Sequence, residues 1–354
     1  MNDMPIEPVG LNLSDEVRAV HAGVLAVDTH IDIPWPDGPA FAEAGARRVD
    51  LPKMKRGGVG AGFFAAYVPQ GPRTPAAEDD AFTRVCAMLR AIAQMGAAPG
   101  ARHAVTTDEI EQVWRDGEVA IVACVENGYT IGTDLSRLAV LRRLGARYLT
   151  ITHNGHNALA DSAIPRADLQ DPASLHGGLS PLGRAAVAEL NRLGMLADVS
   201  HLSREAALQL AGLSRAPVVA THSCVRALCD HPRNIDDETM DALRATGGVV
   251  QITAVSGFLR LKAKEEEVSV ADVVDHIDYA VRRIGVAHVG IGSDFDGGGA
   301  VVGWRDASES ANVTAELMRR GYDPAAIAAL WGGNFLRALR AAEALAEATA
   351  GADP

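Results

Sequence analysis

Cysteine is scarce in this sequence, long apolar runs are missing and basic residues are in the minority; each shortage excludes a class of protein. Four cysteines, Cys86, Cys124, Cys224 and Cys229, lie scattered through 354 residues without a CxxC pair. That density is far below a disulfide scaffold, so they read as reduced thiols packing as small hydrophobes. No segment approaches the roughly 20 consecutive apolar residues of a membrane span. Near the amino end, Asp3, Glu7, Asp15, Glu16 and Arg18 interrupt any apolar stretch of the kind a signal peptide needs. Near the carboxyl end, Glu343, Glu347 and Asp353 break the Ala-rich stretch 340–354, which excludes a lipid-anchor tail. A cytoplasmic protein with no membrane partner is expected. With 33 Lys and Arg against 45 Asp and Glu the formal net charge is -12, which argues against nucleic acid as a partner. Binding a phosphate backbone calls for basic residues gathered on one face. The short cluster Lys53, Lys55 and Arg56 reads as a solvated helix face.

With 48% hydrophobic and 22% charged residues, the chain falls in the ordinary globular class. Short apolar runs rich in β-formers recur at residues 24–28, 60–67, 119–125, 148–152, 195–199, 218–221, 248–252 and 289–293. Their apolarity is continuous rather than alternating, as a parallel sheet buried on both faces requires. Helical patterns with recognisable ends lie between them. Ser180-Pro181 opens a helix that Gly194 closes, Thr107-Asp108-Glu109 opens another, Ser203 and Asp236-Asp237 start two more, and residues 270–284 precede the last run. Residues 71–75 read as a loop, no repeat of fixed period is present, and no GxGxxG follows the first run. Eight strand-then-helix units without a dinucleotide fingerprint predict an α/β (β/α)8 TIM barrel spanning residues 1–354 as one domain.

A barrel of this kind carries its active site on the loops after its strands. The polar groups at those places are His30 and Asp32 after the first run, Glu126 after the third, His153 after the fourth, His201 after the fifth, His222 after the sixth and Asp294 after the eighth. His30 and Asp32 are two apart, so an extended backbone turns both side chains the same way and one ion can take both. Imidazole is a preferred zinc donor, and His201 and His222 end successive strands. Glu126 carries two carboxylate oxygens and can bridge ions about 3.5–4 Å apart. The expected sets are His30, Asp32 and Glu126 for one ion and Glu126, His201 and His222 for the other, with a water or hydroxide across the gap whose pKa falls toward ~7.

These residues fall into motifs that can be named as a resemblance. Asp28-Thr29-His30-Ile31-Asp32, Glu126-Asn127-Gly128, residues 148–153, residues 198–201, Thr221-His222-Ser223, Arg233-Asn234 and residues 292–297 occur in the order of the renal (membrane) dipeptidase family of the amidohydrolase superfamily. The resemblance runs from about Ala26 to Leu336. It implies a metallo-dipeptidase with two Zn2+ per chain on the ligands above, acting on small dipeptides that include those with a D-residue in second position. It also implies Asp294 as the proton-transfer carboxylate and His153 on the substrate side, stabilising the oxyanion. Arg233, with Asn234 beside it, would bind the dipeptide's terminal carboxylate, and the assembly would be a homodimer. Thr29 and Ile31 depart from the family's usual first motif, and His156 is a second imidazole without an assignment. His21, His103, His176, His231, His276 and His288 read as structural. The alternative is another C–N hydrolase of the superfamily, a mononuclear deaminase or an acyl-amino-acid hydrolase. Glu126 argues against the deaminase, because a bridging carboxylate has little purpose beside a single ion.

Overall fold

The computed structural model describes residues 13–33, 35 and 40–350. Asp3, Glu7 and Asp353, on which part of the reading of the two ends rests, lie outside the described residues. Nine parallel strands form one sheet: β1 (Ala26–Asp32), β2 (Val59–Tyr67), β3 (Ala101–His103), β4 (Val119–Glu126), β5 (Ala146–Thr150), β6 (Leu196–Asp198), β7 (Val218–Ser223), β8 (Val249–Ile252) and β9 (Val289–Ile291). Eight run in the order β1-β2-β4-β5-β6-β7-β8-β9. The sheet curls until its ends meet, where Asp294 N–H donates to the His30 carbonyl (3.0 Å) and Asp32 N–H to that of Phe295 (2.9 Å). The expected (β/α)8 barrel is therefore what the chain forms. The strand not expected, β3, pairs with the first residues of β4 before β5 takes over at Ala123. Three residues are too few to carry a periodic signature.

The helices follow their end signals. Ser180 caps Pro181–Leu193, and Gly194 ends it at φ 65°, a left-handed position that glycine occupies without penalty. The helix expected from Thr107 is capped one residue earlier, by Thr106, whose hydroxyl accepts from Glu109 N–H while Glu109 reaches back in a capping box. Alternate strand residues Val27, Phe63, Val122, Tyr148, Leu196, Val219 and Val249 cluster with Phe335 and Leu336 of the last helix, Asn334–Ala350. This packed interior leaves the chemistry to the rim. All four cysteines are buried thiols. Among the described residues no helix is long and apolar enough to cross a membrane.

Candidate metal centre

Two of the expected ligands lie where strand register slips. Between Asp28 and Ile31, β1 gains one residue over β2, and between Ala220 and Ser223, β7 gains one over β8. Such bulges re-aim side chains, and His30 and His222 sit inside them. Their ring centroids are 3.8 Å apart. Glu126 ends β4, while His153, His201 and Asp294 each stand three residues past the end of β5, β6 and β9. His201 and Asp294 adopt φ 71° and 61°, as do Asn127 (84°) and Asp296 (63°). Left-handed backbone at non-glycine residues costs on the order of 1–3 kcal/mol each and concentrates at functional sites.

Four imidazoles converge on one carboxylate. Glu126 Oε2 is 3.5 Å from His30 Nε2, and Oε1 is 3.1 Å from His201 Nε2, 3.5 Å from His222 Nε2 and 3.9 Å from His153 Nε2. Asp32 Oδ1 lies 3.6 Å from His30 Nε2. Distance alone sorts the donors into His30, Glu126 and His222, and Glu126, His153 and His201. The sequence-based sets instead placed Asp32 with His30 and Glu126, paired His222 with His201 and left His153 out; Asp32 falls in neither distance-based group.

The rings are held from behind. His30 Nδ1 meets the Tyr148 hydroxyl at 2.7 Å, and that hydroxyl donates to the Thr29 carbonyl. His222 Nδ1 meets the Thr221 hydroxyl at 3.0 Å, which donates to Asp198. His201 Nδ1 faces Asn154 Oδ1 at 3.1 Å. Each partner accepts here, so Nδ1 keeps its hydrogen and Nε2 is the nitrogen turned toward Glu126 and left to ligate, as second-shell partners arrange for a metal. A cation fits here, because His30 Nε2, Asp32 Oδ1 and His222 Nε2 are buried without a hydrogen-bond partner. Burial drives the His222 pKa down to about 4 and that of His201 well below the ordinary value, leaving both neutral and free to ligate. Burial also opposes charge on His30, but Glu126 and Asp32 outweigh it, so their shared space calls for positive charge.

Beside this cluster the buried Arg233 has no carboxylate within ion-pair distance among the described residues. Its Nη2 donates to the His222 carbonyl (3.2 Å), its guanidinium lies 5.3 Å from the Phe258 ring centroid, and its Nε has no partner. Burial lowers its pKa to about 10. Asn234 turns its amide to the Cys229 and Phe258 carbonyls, both at 2.8 Å, anchoring the loop behind Arg233. The Asp294 carboxyl, half-buried, is raised well above the usual range by burial, with Asp32 and Glu126 adding to the rise and His30 and Arg233 opposing it. His156 lies away from the cluster: Nδ1 accepts from Ser162 N–H (3.0 Å) and Nε2 donates to the Pro172 carbonyl (2.8 Å). His21 and His276 likewise bridge elements through both ring nitrogens.

A family model described as membrane dipeptidase (peptidase family M19) matches residues 14–352. The chain belongs to this family. As a member of the metallo-dipeptidase family it is a hydrolase acting on peptide bonds. Two curated members similar to it are the dipeptidase verJ of Clonostachys rogersoniana, 34% identical over 94% of this chain and 87% of the relative, and the dipeptidase tcpJ of Claviceps purpurea, 33% identical over 87% and 72%. The probable dipeptidase PvdM of Pseudomonas aeruginosa superposes with a TM-score of 0.86 at 32% identity, covering 93% of this chain and 98% of that one. A metallo-peptidase of Rhodobacter sphaeroides, solved with a phosphinate mimic of the dipeptide L-Ala-D-Ala, gives a TM-score of 0.78 at 29% identity, covering 90% and 99%.

This dipeptidase-family site also uses residues that the motif reading passed over. Tyr67, which ends β2 opposite Glu126, packs its ring against His153 with centroids 4.7 Å apart. Nothing in the sequence marks Tyr67 out, because a tyrosine closing an apolar run reads as part of the strand. Tyr148, Asp198 and Thr221 lie inside the dipeptidase-like motifs, yet their work of turning His30 and His222 is a matter of contact across the barrel. Gly297 has a reason of its own, since a Cβ there would stand 2.4 Å from Asp294 Oδ1 and 2.7 Å from Asp32 Oδ2.

Proposed function

We propose that this chain is a zinc-dependent dipeptidase that holds two ions per chain on His30, Asp32, Glu126, His201 and His222. The observation that carries the reading is one buried carboxylate shared by two sets of histidines, with an unpaired guanidinium beside it. Bound ions would polarise the scissile carbonyl and lower the pKa of an attacking water toward ~7. The chain's own residues then orient and move protons. Arg233 pairs with the terminal carboxylate of the dipeptide, His153 donates a hydrogen bond from Nε2 to the carbonyl oxygen as charge develops there, and Asp294 takes the water's proton and delivers it to the leaving amine nitrogen. Asn234 supports Arg233 through its loop. The dipeptide mimic bound by the Rhodobacter protein supports a small dipeptide as substrate, including one with a D-residue in second position. A cytoplasmic location and a homodimer belong to the same proposal and are read by fractionation and light scattering.

The deciding assay incubates zinc-reconstituted protein with L,L, L,D and D,D dipeptides, acylated amino acids and amino-substituted heterocycles. Turnover of dipeptides, abolished by chelation and restored by zinc, is expected. Turnover confined to the acylated amino acids or to deamination would replace the dipeptidase reading with the alternative.

A second expectation concerns Arg233. A buried guanidinium without an anion is costly in the free protein, and a substrate carboxylate relieves that cost through a bidentate pair. Arg233→Ala should raise KM on the order of 10²-fold, within the 2–5 kcal/mol range for truncating one partner of a buried pair. The parent should cleave C-terminally amidated dipeptides poorly, and the variant should lose that discrimination. Equal rates on free and amidated dipeptides in the parent would assign Arg233 elsewhere.

A further inference from the structure

The four histidines around Glu126 differ in what stands behind them. His30, His201 and His222 each turn Nδ1 toward a group with no hydrogen to give, so all three are turned to offer Nε2 to an ion. His153 Nδ1 faces the Tyr67 hydroxyl instead, at 3.5 Å, the long end of a hydrogen bond. That hydroxyl makes no other hydrogen bond among the described residues, so its hydrogen is free for His153. A neutral imidazole that accepts at Nδ1 must carry its hydrogen on Nε2.

We propose that Tyr67 is a positioning residue that fixes His153 in the Nε2–H tautomer, which withholds this ring from the metal ions and makes it a hydrogen-bond donor into the site. The proximity that groups His153 with Glu126 and His201 then misleads about its role, because an Nε2 that bears hydrogen has no lone pair for a metal. The 3.9 Å separation from Glu126 Oε1, against 3.1 Å for His201, agrees with a ring standing one layer farther out. The hydroxyl of Tyr67 lies on the last residue of β2, so the sheet itself sets where the hydrogen bond is made. The identity of the oxygen that His153 meets rests on the dipeptidase reading above; the tautomer does not.

The test labels the histidines with 15N and reads long-range 1H–15N correlations in the ion-free and zinc-loaded protein, with His153 assigned by the signal lost in His153→Gln. In the parent, His153 should show an unprotonated nitrogen at Nδ1 and a protonated one at Nε2 in both states. His201 and His222 should show the opposite pattern, and they and His30 should respond to zinc at Nε2. Tyr67→Phe keeps the ring and removes the hydroxyl. It should shift His153 toward a mixture of tautomers and lower kcat on the order of 10-fold to 10²-fold, at most the loss for removing an oxyanion donor. KM and zinc content should stay within about twofold of the parent. A protonated Nδ1 on His153 in the parent, or a zinc-dependent shift at its Nε2, would overturn the proposal and make His153 a ligand. So would a Tyr67→Phe variant with unchanged tautomer and unchanged kcat. Because the spectra are read without substrate, they decide the tautomer even if dipeptide turnover fails.

Discussion

Asp294→Asn should keep both ions and the fold and lose on the order of 10²–10⁴ in kcat, the range for general acid–base catalysis. The backbone explains why the fold survives. Asp294 N–H is bonded to the His30 carbonyl, and its own carbonyl accepts from Gly297 and Gly299, at 3.1 and 2.7 Å, so the barrel seam holds the residue whatever its side chain. Its φ of 61° suits asparagine as well as aspartate. Both proposed ligand sets are complete without its carboxyl. What the substitution removes is an oxygen that can take and return a proton, which matters in the transition state more than in the bound complex. KM should therefore change little. Elemental analysis, melting temperature and steady-state kinetics on one preparation check this. Loss of one ion with lower thermal stability would make Asp294 a ligand, and near-normal turnover would remove it from the proton path.

That path does not lead to His156 in either case. The sequence offered His153-Asn154-Gly155-His156 with two imidazoles and no means of telling them apart. Separation came from the loop's course, which buries His156 between Ser162 and Pro172. The strands were legible because strands buried on both faces read as unbroken apolar runs, and the rim residues were legible because polar groups end those runs. What a one-dimensional pattern does not carry is contact between distant elements. Tyr148 and His30 are 118 positions apart, yet they decide together which nitrogen faces the ions. The bulges at His30 and His222 were equally hidden, since a register slip is a relation between two strands and neither strand shows it alone. Arg233 was legible as a motif residue, but its lack of a partner, which gives the motif its chemical sense, was visible only once the surroundings were in place.

The second large effect is expected at Glu126, where the argument for two ions stands or falls. Each oxygen of this carboxylate faces a different group of histidines, Oε2 toward His30 and Oε1 toward His201 and His222. Burial works against its ionisation, but His30, His201 and His222 together hold its pKa well below the usual range. The group therefore stays an anion in the fold, available to both ions. Glu126→Gln keeps the volume, removes the charge and replaces one oxygen by an NH2 group that cannot ligate, so bound zinc should fall from two ions per chain to at most one. Activity at limiting zinc should drop on the order of 10³-fold or more, equivalent to roughly 4 kcal/mol. Thermal melts separate this from general damage. Zinc stabilises the folded state by RT ln(1 + c/Kd), with c the free zinc concentration, so at c well above Kd a hundredfold loss of affinity removes about 2.7 kcal/mol of that stabilisation. The variant should thus melt near the ion-free parent yet gain much less on addition of zinc. One tight ion per chain in the parent, retained unchanged in Glu126→Gln with the same zinc-induced rise in melting temperature, would end the binuclear reading. The mononuclear hydrolase would then be the reading to pursue.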